Sequence, residues 1–557
     1  MTIRRTLGLS AAALAGALLA APTPAEACGG FFCNRQAIDQ SGENILFVYN
    51  DDGTVSTVVQ IFYQGPSEEF AWILPVPAEP EVSVGTDALF QQLGAATRPR
   101  FTTTTVVEGE CRSEPTCWDS RYDTDDGPFA GESGAADAGA MRPPDDGVDV
   151  VQRANVGPFD VAVLRSGDAD ALRTWLTDNG YLIPEEAGAE LDHYVELEHY
   201  FVALRLQKDR DTGEIQPIVL RSSNDEPCIP IRLTRIAATP DMPVRAYFLA
   251  EQRARPMNYM LVNPDFDRFE LYTGELSYTE LVNTTVDDAG GHAFVTDYAG
   301  DVPALSLELD SIEDLRDEDD PAAFLQALQS RGFNGDSQLL GILMRHLPPP
   351  EGYEAQTFYN CLTQGWCRDP EVDAHLEAIG FAPSDLVDDL NEAIVEPRTE
   401  AQTMLESRST LTRLFTTLSP DEMDEDPMFV LSDELEREFS NVHEATTRVE
   451  CGPEYFYWTA PRTLELPSGR SRVLDEGVAY YGSDDEYCED RYGGDFHPGM
   501  PTERLREVAR TRGTSPGGGG LCSVTAGTSS SRAALGGLSL LGLALLGFVW
   551  RRRRDRA

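Results

Sequence analysis

Seven histidines are spread over 557 residues, and the two best placed for chemistry are His193 and His199, which flank Glu196 and Glu198. Imidazole nitrogens and a carboxylate held on one face at a strand start would make a His/carboxylate metal site. The commoner use of such residues is as polar boundary groups, so His193, His199 and Glu196 stand as weak metal candidates. Other strings fare worse. Gly513-Thr514-Ser515-Pro516-Gly517 has the spacing of a nucleophile elbow, but that turn needs a strand before the serine and a helix after it. Here a Pro/Gly stretch surrounds it, which marks a linker. His443-Glu444 runs on into Ala445-Thr446-Thr447 and lacks the second histidine of a zinc-protease helix. Asp123, Asp125, Asp126 and Gly127 are loosely like a calcium loop, without its spacing or its closing glutamate. Carboxylate clusters outside a cell still take calcium weakly, so calcium is the one ion expectation. No catalytic residue and no cofactor site is assigned. Phe31, Phe32, Phe70 and Trp72 read as core.

Ten cysteines occur and none forms a Cys-x-x-Cys pair, which argues against zinc ribbons and thioredoxin-type sites. Their spacing suits disulfides in an oxidising compartment. Nearest-neighbour pairing is the favoured assignment: Cys28 with Cys33, Cys111 with Cys117, Cys361 with Cys367, and Cys451 with Cys488. Cys228 and Cys522 are left over, and sequence alone leaves the connectivity open. Cys228, between Pro227 and Ile229-Pro230, reads as a buried inert thiol or as half of a long-range disulfide.

The two chain ends say where the protein works. Arg4 and Arg5 precede an apolar run from Leu7 to Ala21, and Ala25-Glu26-Ala27 has small residues where a signal peptidase needs them. Residues 1–27 therefore read as a Sec-type signal peptide cut after Ala27. Near the other end, a Gly/Ser linker (511–532) carries Cys522. It is followed by an apolar stretch (533–550) and the arginine cluster 551–557. Eighteen apolar residues make a helix of about 27 Å, close to the ~30 Å hydrocarbon core, and the arginines stay cytoplasmic. This tail resembles the MYXO-CTERM sorting signal of myxobacteria. The resemblance implies processing near Cys522 by a membrane protease of the myxosortase type, attachment of lipid at that cysteine, and delivery to the cell surface. Leu521 stands where glycine is more usual, which blurs the cut site.

Between the ends, the net charge of −50 suits a solvated exterior and repels nucleic acid. The segment 28–265 reads as a β-rich α+β domain. Ile45–Tyr49 and Val55–Tyr63 alternate in polarity around Asn50-Asp51-Asp52-Gly53, a hairpin signature. Phe70–Leu74 is a third strand, Thr86 caps a short helix, and residues 119–150 are an acidic, Gly/Ala-rich flexible insertion. Phe159–Leu164 is a strand, and Asp168 caps a helix carrying Leu172, Trp175 and Leu176. Tyr200–Leu206 and Ile215–Leu220 pair as a hairpin around Asp211-Thr212-Gly213, and Ile229–Ile236 and Val244–Ala250 add strands. Residues 266–510 read as mainly helical. Helices start at Pro321 and after Asp336, then span Pro370–Ile379, Pro383–Ile394 and Glu400–Leu418. The fold class is thus α+β: a mostly antiparallel N-terminal half, a mainly helical C-terminal half, disulfide staples and one C-terminal transmembrane helix.

Four blocks in order, Cys28–Cys33 (CGGFFC), Phe70–Pro77 (FAWILPVP), Leu172–Pro184 (LRTWLTDNGYLIP) and Tyr200–Leu206 (YFVALRL), resemble an exported bacterial family known only as domain of unknown function 2330. The likeness covers roughly residues 28–350. It implies export and brings no chemistry, so no site residue comes from it. The function expected is that of a cell-surface-anchored envelope protein with a structural or ligand-binding role. An exported hydrolase with a non-standard carboxylate or metal site and a calcium-dependent adhesive protein are the alternatives.

Overall fold

Strands β1 (Asp39–Tyr49) and β2 (Val55–Gln64) form the expected hairpin, paired from Tyr49↔Val55 outward. Its turn closes with Asn50 N–H to Thr54 O at 2.9 Å, and Gly53 takes the left-handed φ of 79° that a side chain resists. The computed structural model describes residues 39–64, 70–113, 149–181, 183–184, 187–208, 210, 212–223, 227–366 and 370–481. The signal peptide, Cys28, Cys33, nearly all of the 119–150 insertion, the Ser515 string, Cys522, the 533–550 stretch and the arginine cluster lie outside them. Among the described residues no helix is long and apolar enough to cross a membrane. All the described residues except Ser113 and Tyr481 belong to one compact unit.

Chain order continues with β3 (Ala71–Val76), β4 (Glu81–Val84), helix α1 (Asp87–Thr97) and β5 (Arg100–Glu108). After the insertion come β6 (Asp149–Val156), β7 (Phe159–Arg165), α2 (Ala169–Asp178), α3 (Ala187–Glu196), β8 (Tyr200–Leu206), β9 (Ile218–Ser222), β10 (Met242–Ala250), β11 (Arg253–Pro256) and β12 (Met260–Val262). Local signals explain the helices. Thr86 accepts from Ala88 N–H, and Asp168 accepts from the N–H groups of Asp170 and Ala171.

The remaining elements correct the picture of a mainly helical C-terminal half. Helix α4 (Tyr278–Asp288), opened by a capping box of Ser277 and Glu280, leads into β13 (Ala293–Asp301). Five helices then pack around their own apolar cluster: α5 (Pro321–Ser330), α6 (Leu339–His346), α7 (Ala355–Gln364), α8 (Pro370–Ile379) and α9 (Pro383–Leu390); α10 (Glu396–Glu406) follows and packs elsewhere. The chain next returns as β14 (Thr410–Leu418), followed by β15 (Phe429–Ser432), β16 (Val442–Glu450), β17 (Arg462–Glu465) and β18 (Ser471–Asp475). The helical part is therefore an excursion between two strands of one sheet.

That sheet has eight strands in the order β12-β13-β14-β10-β1-β2-β9-β4, with β1/β10 and β12/β13 parallel and the other pairs antiparallel. A four-stranded antiparallel sheet, β3-β8-β7-β6, faces it. The two sheets share a core that includes Phe47, Trp72, Phe159, Val202 and Phe248. Helices α2 and α3 cover the outer face of the smaller sheet through Trp175, Leu176, Leu191 and Tyr194. Helices α1 and α10 cover the far face of the larger one through Leu93, Ala401 and Leu405. The order of layers is helix, sheet, sheet, helix. A smaller sheet, β18-β17-β16-β5, and the ribbon β11-β15 complete the described part.

Four local expectations fail for identifiable reasons. The run Glu400–Leu418 is not one helix: α10 ends at Glu406, and β14 is buried at all nine positions. A strand covered on both faces loses the polar alternation that would betray it. Tyr200–Leu206 and Ile215–Leu220 do not pair with each other. β8 joins β3 and β7, whereas β9 joins β2 and β4. The Asp-Thr-Gly signal between them ends in a helical turn, Thr212–Glu214, whose buried Glu214 carboxylate is clamped by Arg210 at 2.8 Å and by Arg345. Ile229–Ile236 holds a helical turn, Ile231–Thr234, after Pro230. Asp336 starts no helix directly: it accepts from Gln338 N–H, α6 begins at Leu339, and the Asp336 carboxylate pairs with Arg398 at 2.8 Å.

The disulfide staples are also reassigned. Cys111 is bonded to Cys451, 340 residues away, and not to Cys117, so Cys451 does not pair with Cys488. The cause is topological: β5 and β16 run parallel in register to Glu108↔Glu450, and both cysteines lie just past the paired ends. Cys361, inside α7, is disulfide-bonded, and Cys367 lies outside the described residues, as do Cys117 and Cys488.

Candidate functional site

The weak metal candidates do not form a chelate. His193 lies in α3, Glu196 ends that helix on the surface, and His199 follows a left-handed Glu198 (φ 57°). Both imidazoles pack on the Tyr194 ring, at centroid distances of 5.3 and 5.5 Å. Burial pushes His199 below the usual imidazole range, and its contact with the Leu197 carbonyl partly opposes that shift. Among the described residues no group of three His, Cys, Asp or Glu side chains is arranged to hold a metal ion.

The acidic loop 421–426 is tied down by protein groups. Tyr194 Oη donates to both Asp426 oxygens at 2.8 and 3.0 Å, Arg232 N–H to one of them at 3.0 Å, and His292 Nε2 stands 2.7 Å from Asp424. Cys228, bridged through the backbone to Met428, carries a free thiol. Burial, aided by the Asp426 charge, pushes that thiol up to about 12, so it is not a ready nucleophile. This fits the inert-thiol reading of the sequence.

Two hollows flank β1, and neither was singled out from the sequence. The first is an open cleft of about 780 Å³, within the range of ligand pockets. Helix α1 supplies one wall with Asp87, Phe90, Gln91, Gly94, Ala95 and Arg98, a stripe at spacings of three and four that follows one helix face. The other wall comes from β1 and β2 through Ser41, Asn44, Gln60 and Phe62. A polar chain crosses the cleft. Asn44 Nδ2 donates to Gln60 Oε1, Gln60 Nε2 to Asp87 Oδ1, and Ser337 Oγ to Asp87 Oδ2, each at 2.7 Å. Burial raises the Asp87 carboxyl above the usual range, against the pull of Ser337 and Gln60, and Asp336 adds repulsion. The Phe62 ring is 42% exposed, an apolar platform beside these amides.

The second hollow is a cavity of about 40 Å³ between the two sheets. Regular pairing resumes at Glu43 after a β-bulge between Gln40 and Glu43, and strand alternation then places Glu43 on the face of Ile45 and Phe47, toward the smaller sheet. Gly42 leaves room there, since a Cβ would stand 3.0 Å from Phe62 Cδ2 and the ring would have to give. The roof is Leu74-Pro75-Val76-Pro77, and Cys228, Ile229 and Pro230 close one side. Glu43 is 3% exposed, and burial alone pushes its carboxyl up to about 8. It is therefore mostly protonated at neutral pH. The clue legible in the sequence is parity: Glu43, Ile45 and Phe47 alternate on one side of a strand, and a core-facing acid is anomalous.

Among the described residues each hollow contributes one carboxyl group, Asp87 or Glu43. A paired-carboxylate hydrolase needs two around one substrate bond. What the cleft offers instead is a polar ladder, an aromatic face and room.

No curated protein and no solved structure matches the chain. A family model does, over residues 22–335, which take in both hollows' walls on β1, β2, β3 and α1. The chain thus belongs to the family described as an uncharacterized protein conserved in bacteria, domain of unknown function 2330.

Proposed function

We propose that this is an exported envelope protein, held at the cell surface through its C-terminal segment, whose outer part binds a ligand in the cleft along α1. The observation that carries the binding role is the Asn44–Gln60–Asp87 ladder beside the exposed Phe62 ring in an open hollow of about 780 Å³. Directional amides with an apolar platform orient a ligand, and the single carboxyl does not by itself supply a hydrolytic pair. Export by the Sec route, sorting at Cys522 by a protease of the myxosortase type and membrane attachment by residues 533–550 follow the sequence of the two ends. The acidic surface makes nucleic acid a poor partner.

The test is a thermal-shift screen of the full chain in detergent against envelope fragments: sugars, peptidoglycan pieces and short peptides. At least one class should raise the melting temperature of the wild type and fail to do so in Gln60→Ala and Phe62→Ala. If no compound discriminates wild type from these variants, the binding role is wrong.

A further inference from the structure

Glu43 plays no part in the cleft. Its carboxyl is 3% exposed, accepts from no donor among the described residues, and has Oε2 sealed from solvent without a partner. A buried polar group left unpaired opposes folding, and a buried charge left unpaired opposes it far more. Something that enters the cavity in front of it can complete it.

The cavity's chemistry restricts what that is. About 40 Å³ admits roughly three water-sized atoms. Its other polar lining among the described residues is Thr57, Ser222 and Cys228, and no described lining residue carries a positive charge. An anion would meet no cation there. A divalent metal asks for about six oxygen ligands, more than one carboxyl and two hydroxyls provide, and a hydrated ion mismatches the hydrocarbon walls. A primary ammonium group has three N–H donors for a carboxylate and hydroxyl oxygens, and its short stem can lie against Ile45 and Leu74. The geometry points to a binding site for one small primary alkylammonium group, paired with Glu43 in the cavity between the two sheets.

Capture balances as an exchange. The neutral acid and the incoming cation become a carboxylate–ammonium pair, and one proton leaves to solvent. Among the described residues Cys228 is the only other titratable lining group, and its thiol, pushed up to about 12, stays neutral and adds no competing charge. The ammonium could come from a free small amine or from the tip of a lysine side chain, and stem length separates the two.

The test is calorimetric titration of the full chain in detergent with methylammonium and with n-butylammonium, in buffers of different ionisation heat. With Glu43 titrating at about 8, binding to the ionised form should be roughly 20-fold tighter at pH 8.5 than at pH 6.5, with about one proton released at the lower pH. Binding should vanish in Glu43→Gln. Methylammonium alone marks a free amine as the source, and butylammonium as well marks a lysine side chain. If neither saturates the wild type, or if Glu43→Gln binds equally, the proposal is overturned. Should Glu43→Gln fail to fold, Val59→Phe, which fills the hollow and keeps the carboxyl, must abolish binding.

Discussion

Arg413 Nε on β14 stands 2.9 Å from Asp297 Oδ2 on the neighbouring β13 of the eight-stranded sheet, with side chains 6% and 0% exposed. The contact is an ion pair and not an aligned hydrogen bond, since both atoms lack a hydrogen-bond partner of good geometry. Tyr278 donates to the same carboxylate, and Arg413 reaches Thr97 Oγ1 at 3.2 Å, which fastens α4 and α1 to the sheet.

Removing one partner leaves the other charge buried. Arg413→Met should cost about 3–5 kcal/mol of stability in urea unfolding, and the double variant with Asp297→Leu should recover much of it. Additive losses in the double variant would show that the two charges are not coupled.

Glu43 sets a pH slope of definite sign. Its folded-state carboxyl titrates at about 8, above its ordinary 4.5, so the fold holds a proton that the unfolded chain has lost. Stability should fall as pH rises from 4.5 to 8, by on the order of 3–5 kcal/mol, and level off above. His443, stacked on Phe266 and Phe101 and pushed down by burial to about 4, works oppositely. Its contribution is lost as pH falls from 6.5 to 4. The decline should therefore be clearest between pH 6.5 and 8, and Glu43→Gln should flatten it in melting curves.

The Cys111–Cys451 bond closes a loop of 340 residues, for which the chain-entropy account gives about 6 kcal/mol, just beyond the top of the observed range. Non-reducing peptide maps should show the Cys111 and Cys451 peptides linked. Cys111→Ser with Cys451→Ser should lower the melting temperature more than replacing Cys228 does. A map linking Cys111 to Cys117 would contradict the parallel pairing of β5 and β16.

Deleting residues 533–557 should send the protein into the medium, and Cys522→Ser should trap it, unsorted, in the inner membrane. Recovery of the uncut chain from the cytoplasm with its thiols reduced would defeat the export reading.

What was legible in the sequence followed from short-range signals. Asn50–Gly53 named the β1/β2 turn, Thr86 and Asp168 named helix starts, and Pro321 opened α5 where a missing N–H costs nothing. What was not legible depends on distant partners. β14 has no alternation because both its faces are covered, and Cys111 meets Cys451 through a register that no spacing rule contains. The cleft was invisible for the same reason: Asn44, Gln60 and Asp87 are unremarkable polar residues until α1 lies across the hairpin. Glu43 alone left a trace, by its parity with Ile45 and Phe47.

The strand that joins β13 to β10 in the large sheet is among the last to be made. β10 and β13 emerge more than a hundred residues before β14 arrives between them, and until then each presents an unpaired edge rich in apolar side chains. On a chain made amino end first, those edges cannot meet before residue 418. The most vulnerable interval is thus the one before β14 is made, when a chaperone or a stray sheet edge would compete for the gap.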